Sequence, residues 1–250
     1  TVSRRTQEAL ERVAADAARR LGPRLSVAMV LADARTGDIL AEVGSAGFFD
    51  DRRFGWIDMT RAVRSPGSTL KPFIYALAFE EGLVAQETII EDRPSNFSGY
   101  RPRNFDLAYQ GDVSIRTALQ MSLNVPAVRL LDTVGPARLA TRFRQAGVTL
   151  SLPRDESPGL AIALGGAGLS LRELVQLYTG LVNRGEVVEI GNRDGERGSL
   201  PLLDQRAAWQ VADMLAGVTP PEGARQLGIA YKTGTSYGYR DAWSVGFDGR

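Results

Sequence analysis

The 250-residue chain contains no cysteine and no histidine. The first absence excludes disulfides, thiolate metal sites and cysteine nucleophiles, and leaves the redox compartment open. The second excludes a Ser-His-Asp triad, a Cys-His dyad and histidine metal ligands. Any general base must come from Asp, Glu, Lys, Tyr or a terminal amine. Lysine is scarce as well: of 30 Lys plus Arg, only Lys71 and Lys232 are lysine. Arginine keeps its proton in a protein, whereas burial and neighbouring charge can turn a lysine into a base. The two lysines are therefore the places to look for proton chemistry.

Long apolar runs are also missing. The longest, Leu25 to Ala32, is far too short to span a bilayer, and no signal-peptide pattern precedes it. The expectation is a soluble piece, with any membrane anchor lying outside it. The formal net charge of +1 comes from interspersed acids and bases, with no basic stripe for nucleic acid and no acidic tail. The length suffices for one ample core or two intimately packed subdomains, and no linker, internal repeat or low-complexity tract divides it.

Apolar residues at Ala9, Leu10, Val13, Ala14, Ala17 and Leu21 predict an amphipathic helix over 8–21. The runs SVAMVLAD and ILAEVGS flank Ala34-Arg35-Thr36-Gly37-Asp38 and predict a hairpin beneath that helix. Residues 44–67 read as irregular. Helices are expected at about 68–81, 114–122, 126–133, 136–146, 170–183 and 204–216. Between them 91–112 is a long Pro/Asn/Gly/Tyr-rich loop, and ordered loops of that length are often functional. Strand character returns at 228–233 and 242–247. The simplest assembly is α+β: an outer antiparallel sheet drawn from both chain ends (about 1–63 and 222–250), flanked by helices, with a helical subdomain (about 64–221) inserted.

The stretch RSPGSTLKPF puts Lys71 in the first turn of a helix. There its charge opposes the helix dipole by roughly 0.3–1 kcal/mol. Ser68 and Lys71, three residues apart, share a helix face, so the lysine amine can take the serine proton. Bringing an ordinary lysine pKa of about 10.4 near neutrality needs a shift of roughly three units, about 4 kcal/mol. Burial, a second cation and the helix N-terminus all act in that direction, and the same dipole favours an oxyanion at Ser68. The alternative is a plain N-cap at Ser68 with Lys71 in solvent. Lys232-Thr233-Gly234-Thr235 offers an ammonium, two hydroxyls and a backbone N–H to an extended anionic ligand, with Gly234 permitting close approach; a turn after a strand fits the same letters. Ser122-Leu123-Asn124 puts a hydroxyl and an amide two residues apart, either lining a cleft or capping the next helix at Asn124.

In that order, S-x-x-K, S-x-N and K-T-G form the motif set of the penicillin-binding proteins and serine β-lactamases. The surrounding text resembles most closely the transpeptidase domain of class A penicillin-binding proteins, and the type 1C members above all. The matching segments are ARTGDILAEVGS, RSPGSTLKPFIYALA, YQGDVSIRTALQMSLNVPAV, LAIALGGAGLSLRELVQLYTGLVNRG and YKTGTSYGYRDAWSVGF, which together cover nearly the whole chain. The resemblance implies the penicillin-binding-protein/serine β-lactamase-like fold and a peptidoglycan D,D-transpeptidase. Ser68 would attack the penultimate D-alanine carbonyl of a stem peptide, with Lys71 as base. Ser122 would relay the proton to departing D-alanine, and Asn124 would bind the stem-peptide amide and orient Lys71. Lys232, Thr233 and Thr235 would hold the terminal carboxylate beside Gly234, and the Ser68 and Thr235 N–H groups would form the oxyanion hole. No cofactor or metal is implied.

An acceptor amine attacking the acyl-enzyme would give a cross-link, and water would give carboxypeptidase activity. A β-lactam or peptidoglycan sensor that acylates and stops is the non-enzymatic alternative. No Glu-x-x-x-Asn element of the class A β-lactamases is evident, so slow deacylation by water is expected. The implied partners are stem peptides and β-lactam antibiotics, at the periplasmic or extracytoplasmic face of a bacterial inner membrane. The resembled domain normally continues past Phe247 with a strand and a C-terminal helix, so the chain is expected to lack them.

Overall fold

The computed structural model describes residues 3–153, 156–191, 197–221, 223–224 and 228–248. The first helix, α1 (Arg4–Leu21), starts a turn ahead of the apolar periodicity because Ser3 caps it, accepting from the Thr6 N–H. Strands β1 (Met29–Ala32) and β2 (Ile39–Val43) pair antiparallel. Asp33 Oδ1 accepts from the N–H groups of Arg35 and Thr36 and so shapes the turn between them. Gln7 fastens α1 to β2 by donating to the Glu42 carbonyl at 2.8 Å and accepting from its N–H at 2.9 Å. The expected helix-on-hairpin unit is thus formed.

Helix α2 (Lys71–Glu80) is the axis of the molecule, buried at every residue from Lys71 to Phe79. Apart from Lys71, KPFIYALAF is apolar or aromatic on all sides, the mark of a helix enclosed by protein rather than half exposed. Phe73 packs edge to face on Phe143 and Tyr178, with ring centroids 5.3 and 5.4 Å apart. Burying each side chain of the size of Phe73 or Ile74 contributes roughly 1.5–3 kcal/mol.

Around α2 come β3 (Ile89–Asp92), β4 (Gly111–Ser114), α3 (Ile115–Gln120), α4 (Asn124–Val134), α5 (Pro136–Gln145) and α6 (Leu171–Val182). The chain continues through β5 (Glu186–Val188), β6 (Ser199–Pro201), α7 (Gln205–Ala216), β7 (Ala230–Thr235) and β8 (Ala242–Phe247). Ser114, Ser170 and Asp204 cap α3, α6 and α7, and Ser170 forms a reciprocal capping box with Glu173. Ala230 of β7 and Val245 of β8 belong to the same buried cluster as α2 to α7, so strands and helices share one core.

Three expectations need correction. The helix expected from Ser68 is a 3-10 turn over Gly67–Leu70 that becomes α-helical only at Lys71. The expected loop 91–112 is bracketed by the antiparallel ladder of β3 with β4, four residues each, too short to announce themselves by alternation. The strands from the two chain ends do not join into one sheet among the described residues: β1 pairs with β2 and β7 with β8, and α6 packs against both ladders. Strand character in a sequence does not specify which edges pair. Residues 222, 225–227, 249 and 250, inside the expected second sheet segment, lie outside the described residues.

Candidate active site

The turn carrying Ser68 is pinned from several directions. The Tyr178 hydroxyl of α6 donates to the Thr69 carbonyl at 2.8 Å, and the Trp243 indole N–H of β8 donates to the Ser65 carbonyl at 2.8 Å. Arg64 pairs with Asp241 at 2.9 Å, and Asp241 also accepts from the Ser236 hydroxyl, tying the loop after β7 to the segment before Ser68. Two glycines let strand and turn touch. A Cβ on Gly234 would stand 2.4 Å from the Pro66 carbonyl and 3.1 Å from the Ser68 nitrogen. Gly67, at φ 56°, faces Thr235, and a Cβ there would lie 2.6 Å from the Thr235 nitrogen. The backbones of Ser68 and Thr235 are adjacent for that reason.

Ser68 is half-buried and does not cap a helix: the 3-10 turn and α2 both lack a side-chain cap. Its Oγ has no hydrogen-bond partner among the described residues, so the direct Ser68–Lys71 bond that the spacing allows is not formed. The Lys71 amine is drawn to other oxygens. It donates to the Ser122 carbonyl at 2.6 Å, the Leu123 carbonyl at 3.1 Å and Asn124 Oδ1 at 2.6 Å, with Ser122 Oγ at 3.4 Å. Lys71 is wholly buried, which excludes the solvent-facing alternative.

Ser122 sits between α3 and α4 with φ 57°, a left-handed conformation uncommon for a residue with a side chain. The kink directs its carbonyl at Lys71 and its hydroxyl at Lys232, whose amine donates to Ser122 Oγ at 2.7 Å and to the Thr233 carbonyl at 2.8 Å. Asn124 is the first residue of α4, not its cap. Its Oδ1 meets Lys71 and its Nδ2 donates to the Arg103 carbonyl at 2.5 Å. Strand alternation sets Lys232 and Gly234 on the buried face of β7, and Thr233 and Thr235 on the exposed one. Lys232, Thr233 and Ser122 nonetheless line one cavity of about 250 Å³ with Tyr231 and Thr219. A larger groove, about 980 Å³, lies elsewhere between Trp209, Gln86 and Phe247, and offers neither serine nor lysine.

Burial lowers the Lys71 pKa well below that of an ordinary lysine; the Lys232 charge lowers it further and Asp92 opposes them. Burial pushes Lys232 down to about 8. A buried amine, a hydroxyl between two lysines and a serine on a turn packed against β7 are side chains that nucleophilic acyl transfer uses.

Some contacts of these loops escape the motif reading. Asn104, in the loop between β3 and β4, accepts from the Asn124 N–H at 2.8 Å, and the exposed rings of Phe105 and Tyr239 meet at 5.7 Å, joining that loop to the one after β7. The only sequence signal for them is the length and composition of the loop itself.

Residues 27–248 match the family described as "Penicillin binding protein transpeptidase domain". The chain is 41% identical to penicillin-binding protein 1C of Escherichia coli (strain K12) over 249 residues, 98% of this chain and 32% of that protein. It is 30% identical to penicillin-binding protein 1A of Neisseria gonorrhoeae over 256 residues, 90% of this chain and 31% of that protein. It thus spans about a third of the length of these relatives. The crystal structure of penicillin-binding protein 1A from Haemophilus influenzae superposes with a TM-score of 0.75 at 21% identity, covering 90% of this chain and 42% of that one. That likeness shows the α+β fold of the penicillin-binding proteins. By sequence the chain belongs to the penicillin-binding protein transpeptidase family, with E. coli penicillin-binding protein 1C among its relatives.

Proposed function

We propose that this domain is a peptidoglycan D,D-transpeptidase that works through an acyl-enzyme on Ser68. The observation that carries the reading is the convergence of two buried lysines on Ser122 beside the Ser68 turn. Neutral Lys71 takes the Ser68 proton as Oγ bonds to the penultimate D-alanine carbonyl carbon. The Ser68 and Thr235 N–H groups stabilise the resulting oxyanion. The proton then passes from Lys71 through Ser122 Oγ to the leaving nitrogen, the C–N bond breaks, and D-alanine departs. An acceptor amine attacks the ester, loses its proton back along the same path and restores Ser68. Lys232 stays protonated, and with Thr233 and Thr235 it holds the substrate carboxylate.

β-Lactams enter the same first step, with the opened ring retained on Ser68. The site would face the extracytoplasmic side of a bacterial inner membrane, where stem peptides are found. No helix among the described residues is long and apolar enough to cross a membrane.

Incubating the domain with a donor ending in D-Ala-D-Ala and an acceptor amine, read by mass spectrometry, tests the reaction class. Cross-linked product with released D-alanine is expected. Hydrolysed donor alone would identify a carboxypeptidase, and a stable acyl-enzyme with neither product would identify a sensor.

A further inference from the structure

Asp92, the last residue of β3, carries a fully buried carboxylate about which the motif chemistry says nothing. Among the described residues no arginine or lysine pairs with it. It accepts instead from Asn104 Nδ2 at 2.9 and 2.8 Å on its two oxygens, and from the Gln110 N–H at 2.8 Å. A buried carboxylate persists only where such donors compensate its lost hydration. Asn104, 4% exposed, also donates to the Ala108 carbonyl at 2.8 Å, so its amide is held against rotation from both sides.

The fixed amide leaves one atom directed onward. Asn104 Oδ1 accepts at 2.8 Å from the backbone N–H of Asn124, an N–H at the start of α4 that has no partner within the helix. Asn124 in turn presents Oδ1 to the Lys71 amine at 2.6 Å and donates Nδ2 to the carbonyl of Arg103, the residue before Asn104. The loop therefore holds Asn124 by both its main chain and its side chain. The Asn104 and Asn124 amides each have a defined orientation, because each oxygen faces a donor and each NH₂ an acceptor.

We infer that Asn104, clamped by the buried Asp92 carboxylate, is a positioning residue for acylation: it fixes Asn124 and, through it, the Lys71 amine. The inference deepens the reading of Lys71 as the base for Ser68 and rests on it. The charged groups acting on that amine are Lys232 on β7 and Asp92 on β3; Asp92 also acts on Tyr75, one turn along α2, whose hydroxyl is buried without a hydrogen-bond partner among the described residues. Asp92 favours the protonated amine, and the Lys232 charge and burial disfavour it. Loss of the Asp92 charge, or of the Asn124 Oδ1 acceptor that Asn104 holds in place, therefore makes Lys71 lose its proton more readily, and loss of that acceptor also leaves the amine badly aimed.

The test compares Asn104→Ala, Asp92→Asn and Asp106→Ala with wild type, following acylation by a fluorescent penicillin from pH 5 to 9 and the thermal unfolding midpoint of each. Asp106 supports the same loop by accepting from the Ala108 N–H, and makes no side-chain hydrogen bond to Asn104 or Asn124 among the described residues. Asn104→Ala is expected to acylate about ten- to a hundredfold more slowly. Its acid limb, and that of Asp92→Asn, should move to lower pH by about one unit. Asp106→Ala should keep the wild-type limb. A folded Asn104→Ala protein with wild-type rate and profile overturns the inference, as does a rate loss shared equally by Asp106→Ala with no change of profile. If Asn104→Ala does not fold, the acid limb of Asp92→Asn decides, and an unmoved limb overturns the inference. If Asp92→Asn also fails to fold, Asn104→Ser replaces both under the same criteria. Wild type that is never labelled at Ser68 sinks the proposed function itself; labelled wild type with an indifferent Asn104→Ala sinks only this inference.

Discussion

Lys71 and Lys232, the two lysines of the chain, reach the same hydroxyl: Ser122 Oγ lies 3.4 Å from the first amine and 2.7 Å from the second. Neither is solvated, so each charge is felt by the other with little screening. One of the pair is thereby pressed to give up its proton, and the deeper-buried Lys71 is the one.

The pH dependence of acylation follows. Lys71 must be neutral, so the rate rises with pH through its depressed pKa. Lys232 must be charged, so the rate falls again as pH rises through about 8. Lys232→Arg keeps a charge that does not titrate in this range and should remove the alkaline limb while lowering the maximum. An alkaline limb near pH 8 that persists in that variant would assign it to another group.

At Lys71, charge and basicity can be separated. Lys71→Arg should depress acylation about as severely as Lys71→Ala, by roughly 10²–10⁴-fold, because a guanidinium is no base. Stopped-flow acylation with a chromogenic β-lactam measures both. A near-normal rate in Lys71→Arg contradicts the role.

Gly234→Ala and Gly67→Ala test the contact between β7 and the Ser68 turn. Each new methyl meets backbone within 2.4 Å, and Gly67 adds a left-handed conformation that alone costs roughly 1–2 kcal/mol for other residues. Both variants should unfold at lower temperature, and Gly234→Ala should also lose acylation in the protein that remains folded. Wild-type acylation by Gly234→Ala would mean that the strand need not lie against the turn.

Much of this site was legible because its chemistry is written in short motifs whose spacing survives folding. Hydrogen bonds join Lys71, Ser122, Asn124 and Lys232, and the Ser68 turn lies against the strand that carries Lys232. The helices were legible through apolar periodicity and through the caps Ser114, Ser170 and Asp204. What escaped has physical reasons. β3 and β4 are four residues each and exist by pairing with one another. The motif points to the Ser122 hydroxyl, yet the Ser122 carbonyl, turned by a positive φ, meets Lys71 more closely. Asp92 ends β3 and Asn104 lies in the loop after it, and their side-chain hydrogen bonds leave no periodic trace.

Global stability should carry the lysine signature as well. Lys232 releases its proton near pH 8 when folded and near 10.4 when unfolded, so between those values the unfolded chain binds more protons. Stability should therefore rise from pH 8 towards 10, by an amount on the order of 3 kcal/mol if the full shift is expressed. Above about pH 10 the buried Tyr75 and Tyr178, whose hydroxyls burial keeps protonated, reverse the slope. Urea unfolding across this range should show the rise in wild type and a reduced one in Lys232→Met. A flat profile in wild type would contradict a depressed Lys232.

The identity of Ser68 as the nucleophile is tested most directly by intact-protein and peptide mass spectrometry after exposure to a penicillin. Wild type should gain the mass of one opened β-lactam, located on the peptide containing Ser68 and stable for hours, and Ser68→Ala should gain none. Labelling of Ser68→Ala, or of wild type at any other residue, would contradict it.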